Sequence, residues 1–298
     1  MKIIKRENID LVKWDALVKS NPKNGIFSLS SYLDAVSENW CVCVNSDYSS
    51  GIALPFVERL TIKTCYTPIF VRYLQWLGNE KLEEKSLLGL MKNEFQQGQF
   101  NCKENLSTGI SDNMIFQTIE KNEQPQFSSQ AKRMFSKFRK STMKIELAND
   151  ESEVMARIYS ELPQKVASLN DTSLAHLTEL VSCMKKEKCL QTIVVKENDS
   201  IVGGLFLLEF NDSLLYLKGA FTPESKKEGA MYAAMETAIS LAKQKQLIFD
   251  FGGSRVEGVR RFNLNLGGID NLYYSFDWNN APFWFNWLKK IKQSWKRK

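Results

Sequence analysis

The chain has 298 residues, long for one simple domain and a fit for two of ordinary size. Hydrophobic residues make up 43% and charged residues 25%, which supplies a sizeable core and excludes global disorder. The net charge is +6, and two segments carry much of the excess. No run of eighteen apolar residues is present, so no membrane-spanning helix is expected. Met1 to Asp10 is charged, without the apolar stretch of a secretory signal. Six scattered cysteines (Cys41, Cys43, Cys65, Cys102, Cys183 and Cys189) read as small buried hydrophobes in a reducing cytoplasm. His176, the only histidine, lies in a mixed helical segment and reads as a surface or partly buried residue, so Ser-His-Asp, Cys-His and multi-histidine metal chemistry are not expected, and no metal is expected.

In chain order, Asn8 or Asp10 caps a helix through Ser20, with Leu11, Trp14, Leu17 and Val18 on one face. Asn21 to Gly25 is a loop, and Ser30 or Ser31 caps a second helix to about Asn39. Strands are expected over 40–45, 52–59, 61–67 and 72–77, then a helix over 82–94 and a strand over 113–119. The polar, proline-bearing stretch 121–129 reads as a crossing between domains, which gives expected domains of 1–125 and 126–298. A basic amphipathic helix follows over 129–142, holding Lys132, Arg133, Lys137, Arg139 and Lys140. Helices over 151–162 and 173–188 precede a strand over 190–196. Strands 201–210 and 214–221 then pair through Asn211-Asp212-Ser213. An alanine- and methionine-rich helix over 229–245, a short buried strand over 247–251, a helix over 255–266 and a strand over 271–278 complete the order. The fold class is α/β (α+β).

The most informative stretch is Phe249-Asp250-Phe251-Gly252-Gly253-Ser254, followed by Arg260-Arg261-Phe262-Asn263-Leu264-Asn265-Leu266-Gly267-Gly268. An apolar strand ends on an acid and two glycines, where backbone or ligand can come close. The next helix presents amides and two arginines, which suit an anionic group. This order of helix, strand ending D-F-G-G-S, helix, R-F-N-L-N-L-G-G and closing strand resembles the C-terminal half of the FemABX-like acyltransferases, relatives of the GNAT N-acyltransferases. The resemblance is most specific over 193–278. It is looser in the first half, through Phe27-Ser-Leu-Ser-Ser-Tyr-Leu, Ala53-Leu-Pro-Phe and the basic 129–142 helix.

The resemblance implies two GNAT-like domains, each a mixed, mostly antiparallel sheet flanked by helices. It implies transfer of an acyl or aminoacyl group from an acyl-CoA thioester or an aminoacyl-tRNA to an amine. A cell-wall (peptidoglycan) precursor or a small molecule would supply the acceptor amine. It also implies coenzyme A as a donor carrier with no tightly bound cofactor. The loop Thr222 to Ala230 stands where GNAT enzymes hold the coenzyme A pyrophosphate, so Lys226, Lys227, Gly229 and Ala230 are the candidate donor-binding residues. The usual spacing places glycine or alanine two beyond Gly229. Here that position is Met231, with Ala230 one residue early. Related peptidyltransferases carry lysine soon after the phenylalanine of the F-x-x-x-x-G-G segment, and Phe262 to Gly268 has none.

Asp250 is either an acid/base group or an acid that caps the Gly252-Gly253-Ser254 turn or pairs with an arginine. Tyr216 and Lys218, two apart on a strand, are expected on one face as pocket lining with catalytic roles. Arg260, Arg261 and Ser254 are the candidate substrate contacts. The tail, Phe283-Trp284-Phe285-Asn286-Trp287-Leu288 followed by Lys289, Lys290, Lys292, Trp295, Lys296, Arg297 and Lys298, is aromatic and basic. It reads as a helix over 282–294 with its aromatic side docked, as an anionic-membrane contact, or as a tRNA contact. The expected location is the cytoplasm, peripheral to the inner membrane face if the tail binds lipid. The alternative to a transferase is a catalytically inactive GNAT-like ligand-binding protein.

Overall fold

A computed structural model describes residues 1–22, 24–80, 82–106, 110–148, 150–162, 170–253 and 256–288. In chain order the strands are β1 (Lys2–Lys5), β2 (Asn39–Val44), β3 (Ser50–Arg59), β4 (Ile62–Tyr66), β5 (Leu77–Gly78), β6 (Gln97–Cys102), β7 (Ile110–Ile119), β8 (Lys144–Ala148), β9 (Leu190–Glu197), β10 (Ser200–Phe210), β11 (Ser213–Phe221), β12 (Ile248–Asp250) and β13 (Ile269–Asn279). The helices are α1 (Leu11–Ser20), α2 (Ser30–Val36), α3 (Glu84–Glu94), α4 (Ser129–Arg139), α5 (Ser152–Glu161), α6 (Asp171–Lys186), α7 (Pro223–Lys227), α8 (Ala230–Gln244) and α9 (Glu257–Asn265).

The chain divides into two compact units whose segments interleave. One unit takes Met1–Leu17, Ser37–Asn113 and Tyr273–Lys298, and the other takes Val18–Val36 and Met114–Leu272. In the first unit the strand order is β1-β2-β3-β4-β6, with the Tyr273–Asn279 part of β13 antiparallel to β6. The β4–β6 pair is parallel, and the other pairs that link this sheet are antiparallel. Its core includes Trp14, Trp40, Phe95 and Phe100, each about fully buried. The Trp278 indole N–H reaches the Phe95 carbonyl at 2.9 Å, so a large apolar ring enters the core with its one polar atom satisfied.

Residues 283–288 of the same unit are helical, with Phe285 half-buried, and the part of the expected 282–294 helix from 289 onward lies outside the described residues. Phe283, Trp284, Trp287 and Leu288 are exposed. The polar side holds it instead. Asn286 accepts from Gln97 Nε2 at 3.1 Å and from Asn279 Nδ2 at 3.1 Å, and donates to the Ala281 carbonyl at 3.0 Å. Each such bond contributes about 1 kcal/mol net.

In the second unit the order is β7-β12-β11-β10-β9-β8. β8 through β11 pair antiparallel, β11 and β12 parallel, and β12 and β7 antiparallel. The burial patterns follow position. β10, inside the sheet, is buried almost continuously, while β8 is mostly exposed. α8 lays Ala230, Ala233, Ala234, Ala238 and Ala242 inward, with Met235 and Ile239 between them. These small residues bring the helix close to the sheet over Phe221, Phe249 and Phe251. Burying each such ring stabilises the fold by roughly 2–3 kcal/mol.

α2 belongs to this unit and packs on α6, where the His176 Nδ1–H donates to the Ala35 carbonyl at 2.8 Å. The lone histidine therefore has a structural bond. The cysteines are free thiols, and burial pushes Cys41 up to about 12 and Cys43 up to about 11, so neither is an ionised nucleophile near neutrality. Strands β1, β6 and β8 and the short α7 were not expected from sequence. The expected strand over 72–77 reduces to the two-residue β5 and one bridge from Leu74 to Cys102. Among the described residues, no helix is long and apolar enough to cross a membrane.

Candidate active site

The centre of the second unit's sheet opens where β11 and β12 part. Their parallel pairing covers only Ser213–Ile248, Leu214–Phe249 and Leu215–Asp250. β11 continues to Phe221 with β10 as its partner. β12 turns the other way: the Phe251 amide donates to the Gln117 carbonyl of β7 at 3.1 Å. The two strands therefore splay from Tyr216 onward, and among the described residues the backbone edge of β11 has no strand neighbour on that side.

The D-F-G-G turn fixes this opening. The Gly252 amide donates to Asp250 Oδ1 at 2.9 Å, so the buried acid caps its own turn. Gly252 has φ +80°, and a Cβ there would lie 2.4 Å from the Tyr216 carbonyl oxygen. Only glycine meets both demands. Tyr216 and Asp250 are thus brought to the same point from different strands.

Lys218 does not join them on one face. The β10–β11 register pairs Leu207 with Tyr216 but Phe206 with Lys218, and Leu217 is the extra residue of a β-bulge. Directly opposed residues of an antiparallel pair point to the same face, so Tyr216 lies on the Leu207 face and Lys218 on the Phe206 face. The bulge reverses the alternation that sequence spacing assumes. Burial pushes the Tyr216 phenol up to about 12, against a smaller opposing effect of the Gly219 backbone. The phenol is therefore a neutral donor at physiological pH. Lys218 is half-buried and, among the described residues, has no carboxylate partner. Desolvation holds its ammonium below the usual lysine value. The neighbouring strand acid, Glu209, is instead engaged by Lys245 at 2.5 Å and by Gln191.

The other expected site residues fall in two further places. Lys226, Lys227, Gly229 and Ala230 lie at the α7–α8 corner. Thr222 caps α7 through the Ser225 amide, and the amides of Lys226, Glu228 and Gly229 donate to Thr222, Glu224 and Lys226 carbonyls. Gly229 has φ +89°, and a Cβ there would stand 2.4 Å from the Met134 carbonyl of α4. Lys137 of α4 donates to the Lys227 carbonyl at 2.8 Å and lies 3.1 Å from Glu228. The basic helix thus braces this corner, a role its sequence spacing does not reveal. Lys226 is half-buried and Lys227 exposed.

Arg260 forms an ion pair with Asp270, which lowers the Asp270 carboxyl below the usual range. Asp270 also accepts from Gln117 Nε2 at 2.8 Å, and the Gln117 carbonyl accepts from Asn263 Nδ2 at 2.9 Å. Gln117 and Asn263 are about fully buried, so this amide chain ties α9 to β7 and β13. An amide at an inward position of the Met114–Ile119 run, apolar but for it and Thr118, was the available signal for it. Arg261 is exposed, and Ser254 lies outside the described residues.

Residues 127–262 match the family model for the acetyltransferase (GNAT) domain. The second half of the chain is therefore similar to a GNAT domain. Around it, the fold as a whole is similar to that of FemX, with TM-score 0.67 at 11% identity over 94% of this chain and 98% of that one. L-PGS from Bacillus licheniformis gives 0.58 at 13% identity over 92% and 93%. A tandem GNAT protein from the clavulanic acid biosynthesis pathway gives 0.53 at 9% identity over 94% and 99%. None of the curated proteins matches the chain. The architecture is therefore tandem GNAT-like, a mixed α/β fold with mostly antiparallel sheets flanked by helices. Within the matched stretch, β11, α7–α8 and β12 surround the splay.

Proposed function

We propose that the protein moves an acyl or aminoacyl group to an amine at the splay between β11 and β12. The observation that carries the reading is the loss of pairing after Leu215–Asp250 beside a half-buried, carboxylate-free Lys218. The amine nitrogen attacks the donor carbonyl carbon, a C–N bond forms, and the C–S bond of a thioester or the C–O bond of an aminoacyl ester breaks. The unpaired edge of β11 offers backbone amides to the developing oxyanion. Lys218, more readily neutral than an ordinary lysine, takes the proton from the attacking amine. Tyr216, on the opposite face and packed against the core, holds the strand at the splay, and the leaving group takes its proton from solvent. Asp250 acts as a positioning residue through the Gly252 amide. On this reading, Lys226, Lys227 and the first amides of α8, beginning at Ala230, hold the donor's phosphates. Arg261 contacts an anionic part of either substrate. Arg260 is spent on Asp270.

Two donor classes fit this chemistry, acyl-CoA and aminoacyl-tRNA, and both place the reaction in the cytoplasm. The internal bonding of the α7–α8 corner and its bracing by α4 favour the aminoacyl donor. So does the likeness to L-PGS, a lysylphosphatidylglycerol synthetase. A peptidoglycan-precursor or lipid amine is the corresponding acceptor class. The test is transfer of a labelled group to a panel of amines from acyl-CoAs and from a charged tRNA pool, with thermal shift read in parallel. Amide product from either donor supports the reading. A donor-dependent thermal shift with no product from any amine supports the binding-protein alternative. Neither shift nor product refutes both.

A further inference from the structure

The helix over 283–288 is held by one side and, among the described residues, leaves the other exposed. At about 100° per residue, Phe283, Trp284, Trp287 and Leu288 fall within roughly a 140° arc. Their exposures are 85%, 45%, 55% and 41%. Asn286 points away from this arc and carries the hydrogen bonds to Gln97, Asn279 and Ala281. The aromatic arc is thus fixed outward. It is not a core face that failed to pack, because the anchoring contacts are already made by the polar side. Exposed large apolar side chains grouped in this way mark a contact surface on a protein.

The sequence that follows decides what kind of contact. Lys289, Lys290, Lys292, Lys296, Arg297 and Lys298 come directly after the aromatic arc, with Ile291 and Trp295 among them. No acid occurs after Asp277. We propose that this C-terminal segment docks on an anionic lipid surface, with the aromatic arc entering the headgroup–acyl boundary and the basic residues meeting lipid phosphates. Tryptophan beside leucine and phenylalanine suits that boundary, where one end of each ring is apolar and the other is wet. A nucleic-acid contact uses the charge and stacking but gives no role to an outward Leu288. The inference stands apart from the transfer reading, since it uses none of the residues around the splay.

The experiment is co-sedimentation of the full chain with phosphatidylcholine vesicles, with and without phosphatidylglycerol, together with tryptophan fluorescence and melting. The full chain is expected to sediment only with the anionic vesicles, with a blue-shifted emission, and to be released by salt. Trp284→Ser with Trp287→Ser weakens partitioning at least about tenfold. Lys289→Gln, Lys290→Gln and Lys292→Gln together weaken it on the order of a hundredfold at low salt. The tryptophan pair variant should melt where the wild type melts. No sedimentation with anionic vesicles at low salt overturns the proposal, as does binding that the tryptophan variant leaves unchanged. A several-degree drop in the melting temperature of that variant overturns it in favour of a docked arc. A dimer that the same variant dissolves, without vesicle binding, overturns it in favour of a second copy.

Discussion

Two places in the second unit carry a cation on a structured backbone, and they differ in what surrounds the charge. Arg260 has Asp270 as a partner, and through it Gln117 and Asn263. Lys218 has no carboxylate among the described residues and is desolvated by the strands around it. The first arrangement stabilises charge and fixes a helix. The second leaves charge disfavoured at a point where the sheet opens. Sequence alone assigns both residues to a site, because a basic side chain near a glycine pair looks the same in either setting. The partner, not the residue type, separates a structural cation from a chemically available one.

This contrast can be broken by substitution. The largest effect is expected at Lys218. Lys218→Met should lower transfer by about 10²- to 10⁴-fold, the range of a lost general base. Its melting temperature should stay level or rise, since a disfavoured buried ammonium is removed. Steady-state rates beside a thermal melt read both. Next is the turn that fixes the splay. Gly252→Ala forces a side chain into a left-handed conformation and against the Tyr216 carbonyl, which should destabilise by roughly 2–4 kcal/mol in denaturant unfolding.

Gln117→Ala strands the buried Asn263 side-chain amide and should cost about 2 kcal/mol of stability. Because this lies on the structural side of the contrast, KM for the donor should not change.

The smallest effect is at the Arg260–Asp270 pair. Asp270 has a folded-state value below its unfolded one of about 3.9. Its contribution is therefore present above pH 4 or so and is lost as pH falls through the lower, folded value. Both side chains are about one-third exposed. Arg260→Gln should thus lower stability only slightly near neutrality, and the loss should shrink on acidification. An Arg260→Gln variant that loses transfer but not stability would place that arginine with the substrate and erase the contrast.

Much of the second unit was legible. The β10–β11 hairpin announces itself through Asn211-Asp212, and its register closes Phe210 on Ser213 across those two residues. α8 shows its inward alanines at helical spacing, and Asp250 followed by two glycines marks a strand end. What was not legible depends on partners distant in sequence. The bulge at Leu217 arises from pairing with Phe206 and Leu207 and reverses the face of Lys218 relative to Tyr216. β6 is polar in sequence and becomes a strand because Cys102 pairs with Tyr274 far along the chain. β8 lies at the edge, and its Lys-Ile-Glu-Leu alternation is short and mostly exposed, since only β9 pairs with it. The tail's orientation was set by Asn286, one amide among aromatics, because Gln97 and Asn279 happen to offer it partners. The bracing of the α7–α8 corner by Lys137 has the same origin: helix pattern shows the lysine, but only tertiary contact shows its acceptor.

The most direct test of the splay as the reactive centre is the pH–rate profile of amide formation for the wild type and Lys218→Met with the same donor and acceptor. The acceptor amine's own titration is common to both. The account predicts that the wild type has a further rise with pH whose midpoint lies below the ordinary lysine value of about 10.4. That rise should be absent from Lys218→Met, which keeps only the acceptor's limb at a rate reduced about 10²-fold or more. Superimposable profiles of equal height in the two proteins would contradict it.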